Sequence, residues 1–177
     1  MDESVKKEQG NKQNTGLTTF SVPFPLGKIE ENIIITTNKS YEKIELSKDH
    51  IINQAIKFHS AGNISEAVKY YQYFIKQGFV DHRVCSNYGL ILKNFGKTKE
   101  AEKLLRQAIE LKPDFAMAHS NLGITLKDLG RLEEAEISLR KAIELKPDFT
   151  NAYSNLGAIL KDLGRIEEAE IPLRKAI

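Results

Sequence analysis

An internal repeat with a period of 34 residues runs through most of this chain. The block Asn-Leu-Gly at 121–123 recurs at 155–157, and Lys-Asp-Leu-Gly-Arg at 127–131 recurs at 161–165. A more divergent copy begins near Lys48. Self-similarity of this period indicates similar units that bury their apolar faces against one another in a stack. We divide the sequence into repeats 1 to 4, which are residues 48–81, 82–115, 116–149 and 150–177.

Each repeat is predicted to form two helices. In repeat 3, Ala118, Leu122 and Leu126 recur at helical spacing, and the same spacing resumes after Gly130. Glycine closes a helix easily because it takes the left-handed conformation without a steric penalty. The second helix is predicted to stop before Pro147, because proline disfavours helical geometry in the preceding residue. The turn glycines of the other repeats are Gly62, Gly96 and Gly164, and Asp114 and Asp148 are predicted to cap the helices that follow them.

Small residues recur where the two helices of each pair are expected to cross. A larger side chain at these points would push the two helix axes apart. The positions are Gly89, Gly123 and Gly157 in the first helices, and Ala67, Ala101, Ala135 and Ala169 in the second helices.

These landmarks resemble the tetratricopeptide repeat, a helix-turn-helix unit of this length with Leu-Gly, Ala, Ala and Pro at fixed positions. The resemblance covers repeats 1 to 4. It implies an all-α fold, a right-handed superhelical solenoid in which the first helix of each pair lines the concave face. Repeat 1 departs from the pattern at Phe74 and Phe79, where a small Ala and the Pro are expected, so this unit is interpreted as a modified amino-terminal cap.

Both ends of the chain depart from the repeat. Residues 1–47 are predicted to form an irregular, partly disordered arm, since 1–16 is polar and lysine-rich. Asn32 to Thr37 contains three consecutive Ile and has strand propensity. This arm either packs along repeat 1 or offers a strand to a partner. Repeat 4 has no polar capping helix after it, so its apolar end is expected to be covered by self-association or by further polypeptide.

The candidate site lies on the predicted concave face. An asparagine recurs once per repeat, and its amide can both donate to and accept from the backbone of an extended peptide. An apolar strip and a row of lysines are expected beside the asparagines. The residues are Asn53, Asn87, Asn121 and Asn155; Ile56, Leu90, Ile124 and Ala158; and Lys93, Lys127 and Lys161.

The asparagine row is similar to the ladder that lines the repeat superhelix of the O-linked N-acetylglucosamine transferases and grips substrate peptides. The alternative is that asparagine is simply common at this point of tetratricopeptide repeats. The lysine row is either a solvated face, partly offset by Asp128 and Asp162, or a site that favours an acidic or carboxylate-bearing ligand.

Charge and composition exclude several other classes. The 26 basic and 24 acidic residues are interspersed, which leaves no basic face for nucleic acid. Cys85 is the single cysteine and is expected to be a small buried side chain. No apolar run approaches the roughly 18 residues that span a bilayer, and the polar start is unlike a secretory signal. We therefore expect no nucleic-acid or membrane partner, and a cytoplasmic location.

Nothing in the sequence indicates catalysis. The four histidines, His50, His59, His82 and His119, lack the spacing of a helical zinc site, and the glycines follow the repeat instead of forming a nucleotide loop. We expect no catalytic centre, metal or cofactor in this chain. Two interpretations remain open. The chain is either a free-standing module that binds a peptide or partner protein in its groove, or the amino-terminal, substrate-recruiting region of a larger glycosyltransferase or sulfotransferase, which the absent capping helix favours.

Overall fold

The computed structural model describes residues 19–20, 33–34 and 47–176. The chain divides into two compact parts, Met1–Ile44 and Glu45–Ile177. In the first part, strand β1 (Thr19–Phe20) pairs antiparallel with strand β2 (Ile33–Ile34). Strand β2 lies in the stretch for which the sequence predicts a strand. The residues expected to be disordered lie outside the described residues.

The second part consists of helices connected by short turns. Within residues 47–176 the helices form four consecutive pairs, as the spacing of apolar residues predicts. Their bounds are α1 (Lys48–Ser60), α2 (Ile64–Lys76), α3 (His82–Asn94), α4 (Thr98–Leu111), α5 (Ala116–Asp128), α6 (Leu132–Leu145), α7 (Thr150–Asp162) and α8 (Ile166–Lys175). In the described part of the chain, no helix combines the length and the apolar character needed to cross a bilayer.

The turn inside each pair depends on a glycine in the left-handed conformation. Gly130 has a φ of 74°, and its amide donates to the Lys127 carbonyl oxygen. The following amide, that of Arg131, donates to the Leu126 carbonyl oxygen, so the last carbonyls of α5 are satisfied. Gly62, Gly96 and Gly164 take the same conformation, which confirms the predicted helix ends.

The predicted caps at Asp114 and Asp148 are wrong. The N-cap residues of α5 and α7 are Phe115 and Phe149, and neither helix receives a side-chain cap. A capping carboxylate must belong to the N-cap residue itself, so that its oxygen reaches the second or third helical amide. Asp114 and Asp148, which follow Pro113 and Pro147, each lie one residue before the N-cap and cannot act as that cap.

The helices of a pair approach closely at the predicted small residues. A Cβ atom on Gly123 would lie 2.6 Å from Leu139 Cγ and 3.2 Å from the Ala135 carbonyl oxygen. Leu139 and Ala135 are fully buried. The absence of a side chain at Gly123 therefore lets α5 and α6 pack closely, with the buried Leu139 side chain filling the space between them.

The packing pattern shows which helices lie on the inside of the stack. In repeats 2 to 4, α3 packs against α5 and α5 against α7, whereas α4 with α6 and α6 with α8 make at most marginal backbone contact. A curved stack brings its inner helices together and spreads its outer ones. The first helices of the pairs therefore line the concave face.

Repeat 1 has an aromatic core of its own. Phe74 is buried and its ring lies 5.4 Å from that of Phe79, so two aromatic rings pack together where the later repeats carry Ala and Pro. The stacked rings of Tyr71 and Tyr88, 6.0 Å apart, join repeat 1 to repeat 2. Aromatic side chains thus fill the core of repeat 1, whereas the later repeats pack mainly through aliphatic side chains.

Candidate functional site

The four equivalent asparagines differ in their surroundings. Asn53 is exposed, Asn87 and Asn155 are half-buried, and Asn121 is buried, with 8% of its surface exposed. Within residues 47–176, the side chains of Asn53 and Asn155 have no hydrogen-bond partner. Identical positions in the sequence repeat therefore offer a ligand different numbers of amide groups.

Asn121 has a role in joining two repeats. Its Nδ2 donates to Ser86 Oγ over 3.2 Å, a bond between α5 and α3. The Thr125 hydroxyl, one turn further along α5, donates to the backbone carbonyl oxygen of Asn121 at 2.8 Å. Because Ser86 and Thr125 are fully buried, these two bonds satisfy polar groups that water cannot reach. One donor of the Asn121 amide is therefore already engaged.

Asn87 belongs to a polar cluster at the junction of repeats 1 and 2. Burial raises the pKa of Tyr71 to about 12, and the nearby Asn87 side chain partly opposes this rise. The Tyr71 hydroxyl lies 3.3 Å from His59 Nδ1, and desolvation lowers the pKa of His59. Gln72 Nε2 donates to the neighbouring Tyr88 hydroxyl over 3.0 Å. Asn87 therefore lies beside the polar groups that join repeats 1 and 2.

The predicted apolar strip is only partly covered. Ile56, Leu90, Ile124 and Ala158 are each half-buried on their first helices. Met117, at the start of α5, keeps 45% of its surface exposed. The strip therefore presents apolar surface that a ligand could remove from water, which is favourable in proportion to its area.

The lysine row is paired with aspartates of the following repeat. Lys93 Nζ lies 3.2 Å from Asp128 Oδ2, and Lys127 Nζ lies 2.9 Å from Asp162 Oδ2. Lys161 is exposed and makes no ion pair among residues 47–176. The sequence shows Asp128 beside Lys127, but the carboxylate faces the lysine one repeat earlier. The offset by Asp128 and Asp162 that the sequence indicates is therefore present at two of the three lysines.

The second helices and the turns before them carry a further ion-pair network. Arg131, just before α6, donates to Glu102 of repeat 2 at 2.7 Å and to Glu134 of its own helix at 2.6 Å. Arg165 does the same with Glu136 and Glu168, at 2.6 Å in both cases. Two ion pairs also join residues four apart in one helix, Glu102–Arg106 and Glu136–Arg140. Such spacing is visible in the sequence, whereas the bonds between repeats are not.

This network shifts the carboxylates toward their charged form. Burial alone would raise the pKa of Glu102, but hydrogen bonds from Arg131 and Arg106 outweigh it and lower that pKa below its ordinary value of 4.5. The hydrogen bond from Arg131 lowers the pKa of Glu134, and that from Arg165 lowers the pKa of Glu168. The network therefore stabilises the stacked arrangement while these groups are ionised.

The histidines and the cysteine belong to no candidate metal-binding group in the described residues. Cys85 is buried, as expected, and desolvation raises the pKa of its thiol. Across residues 47–176, no group of three or more His, Cys, Asp and Glu side chains is arranged to hold a metal ion.

Comparison with known proteins identifies the repeats. Residues 89–130 and 125–164 match the family described as TPR repeat. Among solved structures, a crystal structure of MamA is 21% identical with a TM-score of 0.66, over 75% of this chain and 78% of that chain. MamA (41-end) from Desulfovibrio magneticus RS-1 is 19% identical with a TM-score of 0.65, over 75% of each chain. No curated protein matches the sequence. Residues 89–164 therefore match tetratricopeptide repeats, and the predicted right-handed superhelical solenoid is confirmed as the fold.

Proposed function

We propose that the groove lined by α3, α5 and α7 binds an extended peptide segment of a partner protein. Tetratricopeptide repeats are protein-interaction scaffolds, so a protein partner is the coarse functional conclusion. The observation that supports a peptide in this groove is the row of half-buried apolar side chains, Leu90, Ile124 and Ala158, one from each repeat. A row with one member per repeat fits a ligand that runs along the stack.

The asparagines contribute unequally to this proposal. Asn155 has a free amide within the described residues and would bond the peptide backbone directly. Asn121 retains its side-chain oxygen and one side-chain N–H after donating to Ser86. Removal of Asn121 would also remove a bond between repeats, so a loss of binding on its substitution would not separate ligand contact from stability. Asn155→Ala is therefore the informative asparagine variant.

Selection from a phage library of random linear peptides tests the proposal. We expect the wild-type chain to enrich peptides, and the double variant Leu90→Ser with Ile124→Ser to lose them. The matched control is Ile137→Ser with Ile171→Ser, which changes the same number of apolar side chains on the second helices, where they are 68% and 66% exposed. Helicity by circular dichroism checks that each variant is folded. Equal enrichment by the groove and control variants would exclude the groove as the binding site.

A further inference from the structure

The first helices of repeats 2 to 4 carry few charged side chains. Apart from His82 and His119, the acidic and basic side chains of α3, α5 and α7 are Arg83, Lys93, Lys127, Asp128, Lys161 and Asp162. All of these helices lie on the concave face. The electrostatic character of the groove therefore depends on how these few groups are paired.

Almost every one of these charges is already neutralised. Arg83 makes two hydrogen bonds to the Asp81 carboxylate, with Nε and Nη2 each 3.1 Å from an oxygen. Lys93 pairs with Asp128 at 3.2 Å and Lys127 with Asp162 at 2.9 Å, each across a junction between repeats. Lys161, at the end of α7, is the one cation of the set without a partner among residues 47–176.

The positions facing the junctions add no further charge. Ser86 is fully buried and Ser120 is 4% exposed, and each precedes an asparagine of the candidate site. These two hydroxyls lie beneath the groove surface, which presents amides and half-buried apolar side chains.

We infer that the groove selects peptide segments without net charge, because its own charges are neutralised from one repeat to the next. This inference rests on the proposed peptide-binding function. An acidic ligand that engaged Lys93 or Lys127 would have to displace Asp128 or Asp162, which exchanges one ion pair for another and gives little net attraction. Only Lys161, at one end of the row, would meet such a ligand without that exchange. A basic ligand would compete with the lysines in the same way. A neutral apolar segment covers the strip without breaking either pair.

The same phage library tests the charge preference. Peptides enriched by the wild-type chain are expected to have a mean net charge close to zero. The variant Asp128→Asn with Asp162→Asn frees Lys93 and Lys127, and its enriched peptides are expected to gain Asp and Glu. The control Asp114→Asn with Asp148→Asn makes the same change in net charge at exposed turn positions and is expected to select like the wild type.

Salt provides the second measurement. Binding of a wild-type-selected peptide is expected to stay nearly constant as ionic strength rises. An acidic peptide selected by the Asp128→Asn, Asp162→Asn variant is expected to lose affinity several-fold, because screening weakens exposed charge interactions. Enrichment of charged peptides by the wild-type chain would overturn the inference and leave peptide binding standing. Absence of enrichment over the Leu90→Ser, Ile124→Ser variant would instead overturn the proposed function and the inference with it.

Discussion

Among individual residues, Gly123 has a packing role that outweighs the poor helix propensity of glycine. Replacement by Ala would gain about 1 kcal/mol of propensity. The new Cβ would lie 2.6 Å from Leu139 Cγ, and Leu139 is fully buried, so overpacking of about 1–3 kcal/mol should prevail. We expect Gly123→Ala to lower the free energy of unfolding in denaturant titrations. Gly157→Ala should cost less, because its neighbour Leu173 is only half-buried and can move. A more stable Gly123→Ala variant would contradict this account.

Ser86 is the second residue whose role the structure makes testable. Ser86→Ala removes the acceptor for Asn121 Nδ2 and leaves a buried donor without a partner. We expect the free energy of unfolding to fall by about 1 kcal/mol. The control is Ser154→Ala, at the equivalent position of repeat 4, where the serine is exposed. Equal stability of the two variants would show that the bond to Asn121 contributes nothing measurable.

Among the helices, α8 contains Pro172, which has no N–H to donate to the carbonyl four residues earlier. Repeat 3 carries Ser138 at the equivalent position of α6, where the backbone N–H is retained. We expect Pro172→Ser to raise the free energy of unfolding and to slow amide hydrogen exchange in α8. The reverse change, Ser138→Pro, should destabilise the chain by about 3 kcal/mol or more. If Pro172→Ser left exchange in α8 as fast as before, the proline would not be what weakens this helix.

The helices and their ends could be predicted from sequence because the causes are local. Apolar spacing and Gly130 lie within a few residues of what they determine. The pairing of Lys93 with Asp128 could not be predicted, because it depends on how far one repeat is displaced from the next. For the same reason, the sequence does not reveal the bond from Arg131 to Glu102 or the different burial of Asn53 and Asn121. The cap predicted at Asp114 is wrong because this residue lies one position before the N-cap.

For the molecule as a whole, the Arg–Glu networks couple the stacking of repeats to pH. The pKa values of Glu102, Glu134 and Glu168 are lower in the folded chain than the ordinary 4.5 expected after unfolding. Between these folded values and about 4.5, the unfolded chain binds more protons. We therefore expect these groups to contribute their full stabilisation above about pH 4.5, the ordinary pKa of the unfolded chain. As the pH falls from there through the lower folded pKa values, the free energy of unfolding is expected to fall.

Glu102→Gln should make this decline shallower, since one of the shifted carboxylates is gone. Glu133→Gln is the control, because Glu133 is exposed and makes no ion pair within residues 47–176. Denaturant titrations between about pH 3 and pH 7 measure the slope. A wild-type chain whose stability is flat across this range would mean that the networks contribute no more than solvated charges do.

The pairing of each lysine with the aspartate one repeat later has a consequence for how such a chain can lengthen. Residues 116–149 receive a lysine contact from repeat 2 through Asp128 and give one to repeat 4 through Lys127. Glu102 and Glu136 accept from Arg131 and Arg165 in the same way. A tandem duplication of this segment in the gene would therefore meet matching partners on both sides. The array can gain a unit in one mutational event without compensating substitutions elsewhere.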